Sequence, residues 1–242
     1  MAASTRMAPP PEIERLAERY SLPAGAAASL ASLAAALARE ADPPTTIREP
    51  ADVIDRHLAD SLEGLRIPAL AGADTIADLG SGAGFPGLPL AIALPGSRVD
   101  LVESQRRKCA TIERLAAAAG ASNARAVPAR AEEWARAEGG GAYATVTARA
   151  VASLAVLVEY AAPLLRHGGV LVAWKGRPDP AEEEAAAAAA ALVGMAPQAT
   201  TTASPFPGAA RSLYVYSKVK DTPGFVPRRA GMASKRPLIR HR

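Results

Sequence analysis

Residues 76–94 read IADLGSGAGFPGLPLAIAL, and no other stretch of the chain limits the possible folds so tightly. Ile76, Ala77 and Leu79 belong to the end of a short buried strand. Gly80, Gly82 and Gly84 make a turn that side chains would obstruct, and residues 87–94 form an apolar helix stopped by Pro95 and Gly96. A strand that runs through glycines into a helix brings backbone against a ligand, because a Cβ would oppose the positive-φ turn and hold the ligand off. From Thr75 onward strand and helix signals alternate. Strands are expected at 98–103, 124–127, 143–147 and 169–174, helices at 105–119, 153–165 and 180–193, and a late antiparallel strand at 211–219. The pattern predicts an α/β fold with a mostly parallel sheet covered by helices on both faces. Ligands in such sheets lie beyond the carboxyl ends of the strands, where strand order reverses. The residues there are Asp78 with the glycines, Glu103, Ala131 with Glu132, and Arg149. Each has a plainer use: Glu103 as a helix cap, Glu132 as partner of Arg130 or Arg136, Arg149 as a surface cation. Their shared place at strand ends is what favours a site.

Two ligand classes suit the glycine turn. Residues 82–87, GAGFPG, satisfy the dinucleotide pattern G-x-G-x-x-G, with Glu103 at the distance of a ribose-binding acid. Read from two residues earlier, Asp78-Leu79-Gly80-Ser81-Gly82-Ala83-Gly84 resembles motif I of the S-adenosylmethionine-dependent methyltransferases. The dinucleotide reading buries Asp78 inside the strand with no evident cation beside it, which is costly. The methyltransferase reading expects that carboxylate at the open strand end, facing a cationic cofactor, and is preferred here.

Length suits one such domain with additions at either end. Residues 1–11 are expected to be disordered, 12–70 to form a helical N-terminal addition, 71–219 the cofactor-binding domain and 220–242 a basic tail. In the addition, Ile13, Leu16 and Tyr20, then Leu30, Leu33 and Leu37, then Ile54, Leu58, Leu62 and Leu65 recur at helical spacing. Arg56, His57, Asp60 and Ser61 fall on the other faces of the last helix, as a solvated face or as part of a site. The single cysteine, Cys109, excludes an intramolecular disulfide. His57, His167 and His241 are scattered without cysteine partners, so no metal site is expected. The start lacks the apolar core of a secretory signal, and the alanine-rich run 24–38 is too short to span a bilayer. A cytoplasmic protein without membrane contact is therefore expected. Net charge is +4, but residues 220–242 hold seven basic residues against Asp221, a net +6 that leaves −2 for the rest. That tail is either a solvated end or an arm lying along phosphates.

A more specific resemblance rests on further residues. Arg48-Glu49-Pro50 precedes Arg56-His57-Leu58-Ala59-Asp60-Ser61-Leu62, and the glycine turn continues as Phe85-Pro86-Gly87-Leu88-Pro89. Arg130-Ala131-Glu132-Glu133, Thr147-Ala148-Arg149-Ala150 and Trp174-Lys175-Gly176 follow. Over roughly residues 45–238 the chain resembles the glucose-inhibited division protein B family of 16S rRNA guanine-N7 methyltransferases. The resemblance implies a Rossmann-like methyltransferase fold and S-adenosylmethionine as cofactor, contacted by Gly80, Phe85, Ala131, Glu132 and Arg149, with Glu103 at the ribose. Asp78, Gly82 and Gly84 complete the expected cofactor set. It also implies 16S rRNA, or the small ribosomal subunit precursor, as partner of a monomer. One departure is at Pro43-Pro44-Thr45, where the family commonly has Asn-Leu-Thr. Asp42-Pro43-Pro44 is also unlike the motif of amine methylases, being upstream of the cofactor strand and lacking the aromatic residue.

Guanine N7 carries an in-plane lone pair and no proton, so its methylation needs no general base. The expected roles are positional, with Arg149, Asp60 and His57 as candidates and Phe85 and Trp174 as possible stacking partners. An NAD-dependent oxidoreductase and a non-catalytic RNA-binding protein are the competing functions.

Overall fold

The computed structural model describes residues 8–238. Five strands, β1 (Thr75–Leu79), β2 (Arg98–Val102), β3 (Ala124–Val127), β4 (Tyr143–Arg149) and β5 (Leu165–Lys175), run parallel in the order β3-β2-β1-β4-β5. The short strands β6 (Met195–Pro197) and β7 (Thr201–Ala203) pair with opposite halves of β8 (Arg211–Lys218), which is itself antiparallel to β5. The late antiparallel strand stands where the sequence puts it. β6 and β7, three residues each, are too short to carry a period. Strand order reverses between β1 and β4, where Leu79 pairs with Val102 on one side and Ala148 on the other. The crevice at a switch point therefore opens beside Gly80 and Arg149.

Alternation along the strands builds two apolar layers. Ile76, Val99, Leu101, Val172 and Leu213 face α1 (Pro11–Arg19), α2 (Ala26–Arg39), α6 (Gly87–Ala93) and α7 (Arg106–Ala119). Ala77, Leu79, Val102, Val146 and Ala148 face α8 (Ala131–Arg136), α9 (Leu154–Ala161) and α10 (Pro180–Leu192). The N-terminal helices thus share a core with one face of the sheet. The alanine-rich α2 is a packed layer, with Leu30 and Leu33 fully buried. Among the described residues no helix is long and apolar enough to cross a membrane.

The helix expected around 54–65 is real but unevenly wound. α3 (Pro50–Asp52) passes into a wide π turn over Val53–Ala59, then α4 (Asp60–Leu62) and a tight 3₁₀ turn over Glu63–Arg66, before α5 (Pro68–Ala71). Residues 57–64 are buried without a break, so no solvated polar face exists there. Widened turns of this kind occur often at functional sites.

Two expectations about the ends change. Residues 1–7 and 239–242 lie outside the described residues, and α1 already begins at Pro11. Residues 220–238 fold back on the domain, with Val226 and Ala233 buried and a last turn, α11 (Met232–Lys235). Arg228 makes two 2.6 Å bonds to the buried Glu159.

Candidate active site

The glycine turn is held from below. Gly80, at φ +64°, still donates to Val102 O at 2.8 Å, so the sheet ladder continues one residue past β1 before the chain bends. A Cβ on Gly80 would sit 2.7 Å from Val151, and its positive φ disfavours any side chain. Asp78 shares the strand face of Ile76 and so points under α6, not out of the strand end. It is fully buried, accepting from Gly87 N and Thr147 Oγ1 at 3.0 Å each. The expectation that Asp78 faces a cationic ligand is therefore corrected. The strand does run through a buried carboxylate, whose cost is offset by these donors and the start of a helix. Burial pushes its pKa up to about 6 against the pull of Thr147, Ser81 and Gly87. Gly87 leaves room for this carboxylate, since a Cβ there would lie 2.8 Å from Asp78 Oδ2.

Beyond the strand ends lie two adjoining cavities of about 320 and 660 Å³ that share Gly80, Glu103 and Lys108. Each falls in the range of small-molecule sites, roughly 300–1,000 Å³. The smaller has an apolar floor of Leu79, Val102 and Val151 and acidic walls at Glu103 and Glu132, beside Ala131. Glu103 accepts from Gly82 N (3.2 Å) and Gln105 N (2.9 Å), so it caps the next helix and also faces the cavity. The Glu132 carboxylate pairs with neither Arg130 nor Arg136, and Arg136 donates instead to the Glu132 backbone O at 3.2 Å. The carboxylate accepts from Gly231 N at 2.7 Å.

The larger cavity is cationic. Arg56, Lys108, Arg149, Lys175 and Arg211 line it against Asp60 and Glu103. At its back Asp60 bridges two arginines, accepting from Arg149 Nη1 and Arg211 Nε at 2.8 Å each. Arg149 also donates to Arg56 O and lies 3.3 Å from His57 Nδ1. A guanidinium only donates, so His57 Nδ1 is an acceptor and its proton sits on Nε2, 3.0 Å from Thr45 Oγ1. Burial, then Arg149 and Arg56, pull the His57 pKa down to about 3, so the ring is neutral. It stacks on Phe85 with centroids 4.2 Å apart and planes 5° from parallel. Desolvation also lowers the Arg149 pKa, against the pull of Asp60.

Of the residues expected at the site, Gly80, Gly82, Phe85, Glu103, Ala131, Glu132, Arg149, Asp60 and His57 line one or other cavity. Asp78 and Gly84 support it from beneath. A Cβ on Gly84 would strike Leu88. Trp174 edges the larger cavity but is 2% exposed, packs its ring against Gly64 and donates Nε1–H to Asp60 O, which leaves it no free face for a base. Sequence reasoning missed Thr45, Lys108 and Arg211. Arg211 opens β8, 151 positions from Asp60, and nothing local in the sequence marks the pairing.

The family model for rRNA small subunit methyltransferase G matches residues 42–207. The chain belongs to this family. Two relatives described as ribosomal RNA small subunit methyltransferase G, from Synechococcus elongatus and Deinococcus radiodurans, are each 42% identical over 200 residues. The matches cover 80% and 81% of this chain and 81% and 78% of theirs. The same fold occurs in the precorrin-6y C5,15-methyltransferase of Geobacter metallireducens, at TM-score 0.51 and 16% identity, covering 65% of this chain and 87% of that one. It occurs again in TrmN of Thermus thermophilus, at TM-score 0.50 and 22% identity, covering 69% and 53%.

Proposed function

We propose that the chain transfers a methyl group from S-adenosylmethionine to N7 of a guanine in 16S rRNA. Family membership supports rRNA methylation with this type of cofactor. The observation that carries the finer reading is that, in the larger cavity, the protonatable groups which could serve as a base are already committed. Both His57 nitrogens have partners and the ring stays neutral, Asp60 is shared by two arginines, and backbone amides hold Glu103. A cavity without a free base suits an acceptor nitrogen that has no proton to lose.

The residues fit the cofactor. Glu103, held by two N–H groups, suits a ribose diol. The Leu79, Val102 and Val151 floor suits a flat base, and Glu132 beside Ala131 suits an exocyclic amine. Arg149, whose Nη1 serves Asp60 and Arg56 O and whose Nη2 faces His57 Nδ1, borders the larger cavity as a cation and suits a carboxylate. When bound, the cofactor supplies an electrophilic methyl on a sulfonium. The chain's own part is to orient the acceptor and exclude water, and orientation of this kind contributes on the order of 7–11 kcal/mol. Arg56 and Lys108, which make no side-chain ion pair among the described residues, suit phosphates on the RNA side. The guanine must come from an unpaired or extruded position, because a stacked N7 cannot enter the crevice.

The test is calorimetric titration with S-adenosylhomocysteine and, separately, NADH. Transfer of a labelled methyl to 16S rRNA and nucleoside analysis follow. The expected product is 7-methylguanosine. Label on an exocyclic amine, or NADH binding in place of S-adenosylhomocysteine, overturns the proposal.

A further inference from the structure

Residues 222–238 lie beyond the 42–207 span of the family match, and composition marks them as a basic end. Their contacts are made inward. Thr222 Oγ1 donates to Ala162 O at 3.0 Å, and Arg136 donates to Pro227 O. Arg228 holds Glu159 with two bonds of 2.6 Å and Arg236 O with a third of 2.8 Å. Glu159 is 2% exposed, so this is the segment's anchor, and it ties the arm to α9. Three residues on, Gly231 adopts φ +76° and donates its N–H to Glu132 Oε1 at 2.7 Å. Ser234 then meets Tyr160 OH at 3.0 Å, and both line the smaller cavity with Glu132.

We infer that this segment is a built part of the cofactor site: Arg228 seats it, Gly231 fixes the Glu132 carboxylate, and Ser234 with Tyr160 completes the cavity wall for the adenosyl group. The inference rests on the S-adenosylmethionine reading. Among the described residues the Glu132 carboxylate accepts one hydrogen bond, from Gly231, which leaves its other oxygen for a donor in the cavity. Without the Gly231 N–H that carboxylate, 5% exposed, would lose its one partner and its orientation. The cation that seats the arm is spent on Glu159 and is not offered to phosphate. Arg228 is a positioning residue, acting through Gly231 on Glu132.

The experiment uses the full chain. Gly231→Pro removes the N–H and cannot adopt a positive φ. Arg228→Lys keeps the charge but loses the two-pronged geometry. Loss of one charge-assisted hydrogen bond predicts roughly a tenfold or greater rise in the S-adenosylhomocysteine Kd for Gly231→Pro, with RNA affinity and its salt dependence unchanged. Arg228→Lys is expected to fall between it and the parent. In a Glu132→Ala background Gly231→Pro should add nothing further. Because coupling is reciprocal, S-adenosylhomocysteine should slow tryptic cleavage after Lys235 in the unaltered protein. That measurement decides the matter if Gly231→Pro does not fold. Unchanged cofactor affinity in both variants, no protection of the arm, or a loss confined to RNA binding overturns the inference. An unaltered protein that binds no S-adenosylhomocysteine overturns the cofactor reading itself.

Discussion

On the Glu103 side of the crevice the carboxylates are held by backbone amides, from Gly82 and Gln105 for Glu103 and from Gly231 for Glu132. On the Arg149 side, charge is held by charge, with Asp60 fixed between Arg149 and Arg211 and a neutral imidazole wedged against Phe85. The first arrangement presents fixed acceptors to donor-rich ligand edges. The second keeps cationic side chains at the surface of a cavity that an anion can enter. The halves therefore differ in what should disturb them. Amide-held carboxylates respond to backbone conformation, whereas a buried ion network responds to loss of one member and to pH.

The largest effect is expected from Asp60→Ala. It leaves Arg149, 13% exposed at its side chain, without its counter-ion, at a cost of about 3–5 kcal/mol of stability. Denaturant midpoints and methyl transfer should both fall. A variant of parental stability would show that the arginines are held by something else.

Next is the acid response. The unfolded chain protonates His57 near 6.5, but the native chain refuses that proton until about 3. This contribution is intact above 6.5 and is lost as pH falls through that window, on the order of 2–4 kcal/mol. Asp78 works the other way: its pKa rises from 3.8 to about 6 on folding, so its contribution is present below 3.8 and lost as pH rises through 6. Urea midpoints against pH should flatten on the acid side for His57→Gln and steepen between 6 and 3.8 for Asp78→Asn. Profiles parallel to the parent's would break the assignment.

Glu103→Ala should follow, weakening S-adenosylhomocysteine binding by roughly 10- to 100-fold through loss of charge-assisted bonds, with RNA affinity intact. Equal losses in both ligands would erase the distinction between the halves. Smallest is Lys108→Ala, for which the slope of log affinity against log salt for RNA should drop by about one. Because Lys108 borders both cavities, its cofactor affinity is the sharper measurement of where the boundary runs.

Much of this was legible in the chain. The glycine turn, the five parallel strands, the late antiparallel strand and the strand-end residues Glu103, Glu132 and Arg149 follow from alternation and turn chemistry, which are local. Asp78 was misplaced although strand parity contained the answer: two residues after Ile76, it must share the face that packs on α6. The cost assigned to burying it ignored that Thr147 and Gly87 would arrive with donors. His57 and Asp60 looked like one face of a regular helix, and the wide turn at 53–59 carries both inward. Arg211, Thr45 and the arm after residue 220 reach the site through tertiary contacts that no window of sequence spans.

The bridge at Asp60 has a consequence for synthesis of the chain. Its three members belong to a segment before the sheet, to the fourth strand and to the eighth, so the Arg149 half cannot be complete until Arg211 has been made and β8 has slotted against β5. A nascent or prematurely ended chain lacking that strand would carry the glycine turn and Glu103 yet hold Arg149 without the second arginine that shares its counter-ion.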